Sequence, residues 1–409
     1  MKIGILGQGF VDWGGGLDFL RMVSASLHCA DPAIEQHVLV PTRGPMIALR
    51  AARDRARTLL GKPSNQSARP SREHIERAFV ESGAQLHSID LGPRAIASAA
   101  RRLGLDVLLP SITPLPARMA QPWIGYLFDF QHKHLPQFFS PEERAKRDAA
   151  FERMLREAGT IVVNAQDVAK DVARYYPQAN ARLFALPFAP APGNDWFDQS
   201  PADVQARHGL KVPYFIICNQ FWKHKDHETA FDAFARVARD HPDVALVCTG
   251  STSDYRYPEY FGQLMARAEQ NGIAHRIHVL GMIPKLDQVA LIRGAIALVQ
   301  PTLFEGGPGG GAVYDSVSLG VPSIVSDIPV NCEISEPTVS YFSASDPAML
   351  ADKMARALTS GQPAPALAAN LIAQGLERRA RCGEFLLQAI AHAREAKNAA
   401  LPAVPRPRP

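Results

Sequence analysis

Ile296-Ala-Leu-Val-Gln300-Pro-Thr-Leu-Phe-Glu305-Gly-Gly-Pro-Gly-Gly-Gly311 runs directly into Ala312-Val-Tyr-Asp315-Ser-Val-Ser-Leu319-Gly-Val-Pro-Ser323-Ile-Val-Ser326. The apolar run Ile296 to Val299 reads as a strand, Val313 to Leu319 as the start of a helix, and Ser323 to Ser326 as the next strand. Five glycines lie between the first strand and the helix. Glycine admits positive φ and close backbone approach, and the free N–H groups that open a helix face an anion. The stretch is therefore one wound α/β unit with an anion site at the carboxyl end of its strand.

Working outward, the same alternation fills the second half of the chain. Tyr214 to Cys218, Ala245 to Thr249 and Ile277 to Leu280 read as strands, and Glu228 to Val237, Tyr260 to Glu269 and Lys285 to Arg293 as helices. Pro187, Pro190, Pro192, Gly193 and Asn194 interrupt the pattern as a linker does. Before them a first series of short strands starts at Lys2 and recurs at His37 to Val40, Gln85 to Ile89, Val107 to Leu109, Trp123 to Leu127 and Thr160 to Val163. Leu17, Leu20, Val23 and Leu27 give the first helix its apolar face. The expected fold is α/β, two Rossmann-like doubly wound domains facing each other across a cleft. The expected division is 1–187, a linker at 188–206, 207–380, a helix at 381–400 packing back on the first domain, and a disordered tail at 401–409.

The chain of 409 residues is 46% hydrophobic and 21% charged, a globular composition. Its net charge of +4 is too small to argue for nucleic acid. The positive charge is concentrated. From Arg43 to Arg72 there are eight basic residues and one acid, Asp54, a local +7 that leaves the remainder at −3. Residues 50–72 read as a long surface excursion, either inert or drawn to an anionic membrane face. No apolar run is long enough to span a bilayer, and a cytoplasmic location, peripheral at the membrane at most, is expected. Cys29, Cys218, Cys248, Cys332 and Cys382 are scattered without metal-ligand spacing and read as reduced, mostly buried residues.

Glu305, the glycine loop, Asp315 and Gly320-Val-Pro-Ser-Ile324 together resemble the signature of the family-four nucleotide-sugar glycosyltransferases, the group 1 type with the GT-B fold. That signature has a glutamate, seven residues, a second glutamate, then a Gly-x-Pro-x-Ile strand. Nine residues separate Glu305 from Asp315 here, and the second acid is an aspartate. The resemblance places Glu305 on the hydroxyls of a donor sugar and Asp315 on the nucleotide ribose. Asn219-Gln220-Phe-Trp-Lys223-His224-Lys225 is similar to the family segment that meets the donor diphosphate, with Lys225 as its lysine and Asn219 or Gln220 where the family has arginine. Gly250 and the turn Gly281-Met282-Ile283 fall where the family's backbone surrounds the nucleotide. Gly15 and Gly16 open the first helix, as in relatives whose glycine loop faces the diphosphate. Asp129-Phe-Gln-His132 resembles the position of an active-site histidine.

The resemblance implies a retaining, metal-independent transfer of a hexosyl group from a UDP- or GDP-sugar to a glycan or lipid-linked acceptor in bacterial surface polysaccharide synthesis. His132, Glu305 and Lys225 would be catalytic, and N–H groups of Gly309, Gly310 and Gly311 would join Lys225 on the leaving phosphate. No cofactor and no metal are expected, and no Asp-x-Asp pair is present. Plainer readings stand beside these. Glycine loops also serve as tight connections, Lys225 as a solvated lysine, and His132 as a loop histidine bonded to a carbonyl. A GT-B nucleotide-sugar epimerase and a non-catalytic sugar-nucleotide binder use the same cleft.

Overall fold

The computed structural model describes residues 1–11, 14–42, 72–90, 92–116, 118–360 and 366–399. The basic excursion up to residue 71, Asp12 and the tail at 401–409 lie outside them. The first domain is a parallel sheet of β1 (Lys2–Leu6), β2 (Glu35–Pro41), β3 (Gln85–Ile89), β4 (Val107–Ser111), β5 (Trp123–Leu127), β6 (Thr160–Val163) and β7 (Arg182–Ala185), in the order β3-β2-β1-β4-β5-β6-β7. The second comprises β8 (Tyr214–Cys218), β9 (Ala245–Thr249), β10 (Ile277–Gly281), β11 (Leu298–Gln300), β12 (Ser323–Ser326) and β13 (Val339–Phe342), in the order β10-β9-β8-β11-β12-β13. In both, the chain winds out to one side and then restarts on the other, so the strand order reverses between β1 and β4 and between β8 and β11. Ligands of such sheets bind outside the carboxyl ends of strands at that reversal. The loops leaving β1, β8 and β11 carry the glycines, lysine and glutamate singled out in the sequence.

β7 and β13 were not foreseen. Each is the last strand of its sheet, paired on one side only and half-buried, so Arg-Leu-Phe-Ala and Val-Ser-Tyr-Phe lack the continuous apolar run of a central strand. Leu20, Val23 and Leu27 pack the first helix, Gly14–Ala30, onto the first sheet.

Two boundaries differ from expectation. Trp196 and Val204 already belong to the core of the second domain, so the connection between domains ends well before residue 206. One helix, Ala368–Ala399, runs unbroken through residue 380. Its two interior glycines are sites of close packing. A Cβ on Gly375 would sit 2.8 Å from that of Ala191, and one on Gly383 would sit 2.1 Å from the Ser26 carbonyl. The helix thus crosses from the second domain to the first. Of the cysteines, Cys248 and Cys382 are buried and Cys332 is exposed, so burial is less general than the sequence implied. No helix among the described residues is long and apolar enough to cross a membrane.

The second domain buries two histidines beside Lys225. His227 stacks on Phe221 with ring centroids 4.2 Å apart, and among the described residues neither of its ring nitrogens has a hydrogen-bond partner. Burial, helped by the Lys225 charge, holds it down to about 3, and the same two causes hold His224 down to about 2. Unfolding releases both toward the ordinary histidine value of about 6.5, so below that pH the unfolded state takes up protons that the folded state refuses. Stability should fall with pH by about 1.4 kcal/mol per pH unit for each histidine. His227→Phe should keep the stacking and remove its share. Urea midpoints at pH 7 and pH 5 will test this, and an equal loss in wild type and variant refutes it.

Candidate active site in the inter-domain cavity

β8 and β11 are neighbours, so the loops that leave them meet although Lys225 and Glu305 are far apart in sequence. Lys225 closes a short turn, Lys223–Lys225, after which Asp226 takes a left-handed conformation (φ 49°) and caps the helix His227–Asp240 by accepting from the Thr229 N–H and hydroxyl. The lysine is thereby fixed at the head of a rigid element. Its Nζ donates to Glu305 Oε1 at 2.5 Å, and Gln300 Nε2 donates to the same oxygen at 2.8 Å. Gln300 is oriented in turn by Asn219, whose Nδ2 donates to its Oε1 at 2.6 Å. The pair is nearly enclosed, with side chains 14% and 9% exposed. A paired lysine and carboxylate in such a place are held at fixed positions from which each can act on a ligand of opposite demand.

The glycine loop is shaped around that carboxylate. A Cβ at Gly310, where φ is +62°, would lie 2.8 Å from Glu305 Oε2. The three expected N–H donors reduce to one. Gly309 N–H donates to Asn331 Oδ1 at 2.8 Å and Gly310 N–H to the Gly307 carbonyl at 3.3 Å, because buried backbone donors take protein acceptors where these are in reach. Among the described residues, the N–H of Gly311 has no such acceptor and points the helix Gly310–Ser318 at the cavity.

The cavity has a volume of about 420 Å³ and both domains line it. From the first domain Gly15 and Asp18 of the first helix line it with Phe128, Asp129, Gln131 and Asn164, and from the second Glu305, Gly311 and Asp315. The domains are closed on each other here. A Cβ on Gly306 would stand 2.9 Å from the Phe128 carbonyl, and one on Gly307 would stand 3.1 Å from Asn164 Cβ. Glu333 of the second domain clasps the start of helix Gln166–Tyr175 in the first, accepting from Gln166 N–H at 2.9 Å and Asp167 N–H at 2.6 Å.

Of the residues singled out in the sequence, Gly15, Lys225, Glu305, Gly310, Gly311 and Asp315 line this cavity. Gly16, Asn219, Gln220, Gly250, Met282, Ile283, Gly309 and His132 do not. Gly250 has a backbone reason to be glycine, since at φ +124° its Cβ would be 2.3 Å from the Asn219 carbonyl oxygen. Met282 is exposed and Ile283 half-buried on the turn after β10.

His132 is the largest departure. Its side chain is fully buried, with Nε2 on Asp148 Oδ1 at 2.8 Å and Nδ1 accepting from Arg147 Nε at 3.2 Å. Burial lowers its pKa, against the pull of Asp148. Arg147 then grips Asp129 Oδ1 at 2.5 Å, and Asp129 lines the cavity. The loop before the one-turn helix Gln131–His134 thus gives Asp129 to the cavity, the helix gives Gln131, and His132 supports them from behind. The sequence also missed Lys285. It pairs with Asp315, lies 5.1 Å from the centroid of the Trp196 ring, and lines the same wall. Burial raises the Asp315 pKa, opposed by that lysine. Among the described residues, no cluster of histidine, cysteine or acid side chains is placed to hold a metal.

Residues 199–378 match the family model described as glycosyl transferases group 1. That match spans most of the second domain and none of the first. Solved glycosyltransferase structures share the architecture of the whole chain. Sucrose-phosphate synthase from Thermosynechococcus elongatus aligns over 98% of this chain and 100% of its own, with a TM-score of 0.61 at 16% identity. The Anabaena HepE protein, in complex with UDP and glucose, aligns over 98% and 99% with a TM-score of 0.56 at 13% identity. WaaG, a glycosyltransferase involved in lipopolysaccharide biosynthesis, aligns over 98% and 99% with a TM-score of 0.53 at 13% identity. At these identities the likeness is one of fold, and that fold is GT-B. No curated protein matches the chain in sequence.

Proposed function

We propose that the protein is a retaining hexosyltransferase that moves a sugar from a UDP- or GDP-sugar to a glycan or lipid-linked saccharide. The observation that carries this reading is the Lys225–Glu305 pair, enclosed in the cavity between the domains beside the free end of a glycine-led helix. Breaking the bond between sugar and diphosphate leaves negative charge on the phosphate and positive character on the ring. Lys225, the Gly311 N–H and the glycine-led first helix at Gly15 meet the phosphate. The full charge of Lys225 gains about 4 kcal/mol at 4 Å with an effective dielectric of 20, before desolvation is subtracted, and the two helix ends, with partial charge, gain less. Cationic and helix-end donors suffice for that charge without a metal.

Glu305 orients donor hydroxyls, and Asp315, steadied by Lys285, holds the ribose diol. The departing phosphate takes the acceptor proton on the face it leaves, which retains configuration. Asp129 and Gln131, rather than His132, meet the sugar or acceptor hydroxyls from the first domain. Closure of the glycine loop onto Phe128 and Asn164 excludes water, the competing acceptor. Asn219 and Gln220 act from behind or beside the cavity, and Gly250, Met282 and Ile283 border the nucleotide through main-chain atoms. A role in bacterial surface polysaccharide synthesis on the cytoplasmic side of the membrane is supported by the likeness to WaaG and by the basic run from Arg43 to Arg72.

Purified protein incubated with a panel of UDP- and GDP-sugars, with and without a membrane extract, tests this. Transfer that depends on extract and is lost in Glu305→Gln is the expected outcome. An altered free nucleotide-sugar identifies an epimerase instead. Binding without turnover identifies a non-catalytic module.

A further inference from the structure

The cavity wall is cationic where the long helix Ala368–Ala399 passes from the second domain to the first. Gly375 sits on Ala191 and Pro192, and Gly383 on Ser26 and Ala30 of the first helix, which puts Arg379 at the crossing. The Arg379 side chain is 8% exposed and lines the cavity. A guanidinium carries five N–H donors. Among the described residues one of them is used, from Nη1 to Glu81 Oε2 at 3.3 Å, and the buried Nε has no partner. Buried charged donors left unspent are costly, and native proteins rarely keep them without a reason.

Arg21 stands on the same wall, close enough for its charge to act on Arg379, and no ion pair joins it to a carboxylate among the described residues. It lies six residues beyond Gly15 on one helix, about 9 Å along the axis from the end that faces the diphosphate position. Lys285 and Ser318 line the same cavity, and the opposing charges are Asp18, Asp315, which is paired with Lys285, and Glu81, which is paired with Arg379. Two guanidinium forks from different elements suit a group with several acceptor oxygens.

We infer that this end of the cavity binds a phosphate dianion, free or carried as a monoester, between Arg21 and Arg379 and apart from the diphosphate position at Lys225. The site goes beyond the transfer reaction and does not depend on it. It is tested by thermal unfolding of the full chain in saturating UDP, titrated with inorganic phosphate and with glycerol 3-phosphate. Sodium chloride at equal ionic strength and glycerol serve as controls. A saturable rise in Tm is expected, with roughly tenfold weaker apparent affinity in Arg21→Gln, whose response to UDP is retained. A rise with both probes means that the phosphate group alone is read, and a rise with glycerol 3-phosphate alone means that its carrier is read as well. A rise no greater than that with sodium chloride, or one unchanged in both Arg21→Gln and Arg379→Gln, overturns the inference. Loss of the UDP response with the phosphate response intact would instead count against the donor site.

Discussion

Lys225→Met is expected to lower kcat by about 10²- to 10³-fold, the usual consequence of removing a preorganised donor from developing negative charge. The substitution also strands the Glu305 carboxylate, which is left with Gln300 as its remaining side-chain partner in an enclosed place. Stability should therefore fall as well. The double variant Lys225→Met with Glu305→Gln separates the two effects. It removes the stranded charge and should recover Tm, while turnover stays low. Recovery of turnover in the double variant, or an unchanged kcat in the single one, would mean that the pair is structural and that the leaving phosphate is met elsewhere.

Gly306→Val should abolish closure while leaving each domain folded. Even a single methyl carbon at Gly306 would lie 2.9 Å from the Phe128 carbonyl and 3.0 Å from Asp129 Cβ. Phe128 directly follows the buried central strand β5, so the first domain yields little at that point. The branched side chain must hold the domains apart, loosening the Glu333 contacts with Gln166 and Asp167 and moving Asp129 away from Glu305. A displacement of about 1 Å costs about 10²-fold in rate where reacting groups are positioned by closure. Small-angle scattering gives the independent reading. The wild-type protein should become more compact with UDP and the variant should not, while their Tm values stay close. Full activity with unchanged scattering would show that closure onto β5 plays no part.

The parts of the fold that were legible in the sequence are those in which local chemistry and tertiary role coincide. Central strands such as Tyr214–Cys218 are apolar because both faces are covered, and the loop from Glu305 to Gly311 is glycine-rich because a carboxylate lies against Gly310. Edge strands β7 and β13 lack that coincidence, being half-exposed and paired once.

The site divides along the same line. Lys225, Glu305 and Asp315 stand at recognisable distances from strand ends. Lys285 is an ordinary helix-opening lysine until Trp196 and Asp315 are packed around it. Asp129 and His132 sit three apart in a polar cluster, and which of them faces the cavity is decided by Arg147, supplied by the separate helix Pro141–Glu157. A long-range partner of that kind leaves no trace in local spacing. The N–H of Gly309 is similar, spent on Asn331 instead of being left for a ligand, since Asn331 comes from beyond the next strand.

The most direct measurement is a crystal structure of the protein with a nucleoside diphosphate. The predicted result has the diphosphate within hydrogen-bonding distance of Lys225 Nζ and the Gly311 N–H, opposite Gly15, with the ribose hydroxyls on Asp315. A nucleotide bound outside the cavity, or one inside it that leaves Lys225 on Glu305 alone and makes no contact with either group, would contradict the proposed donor site.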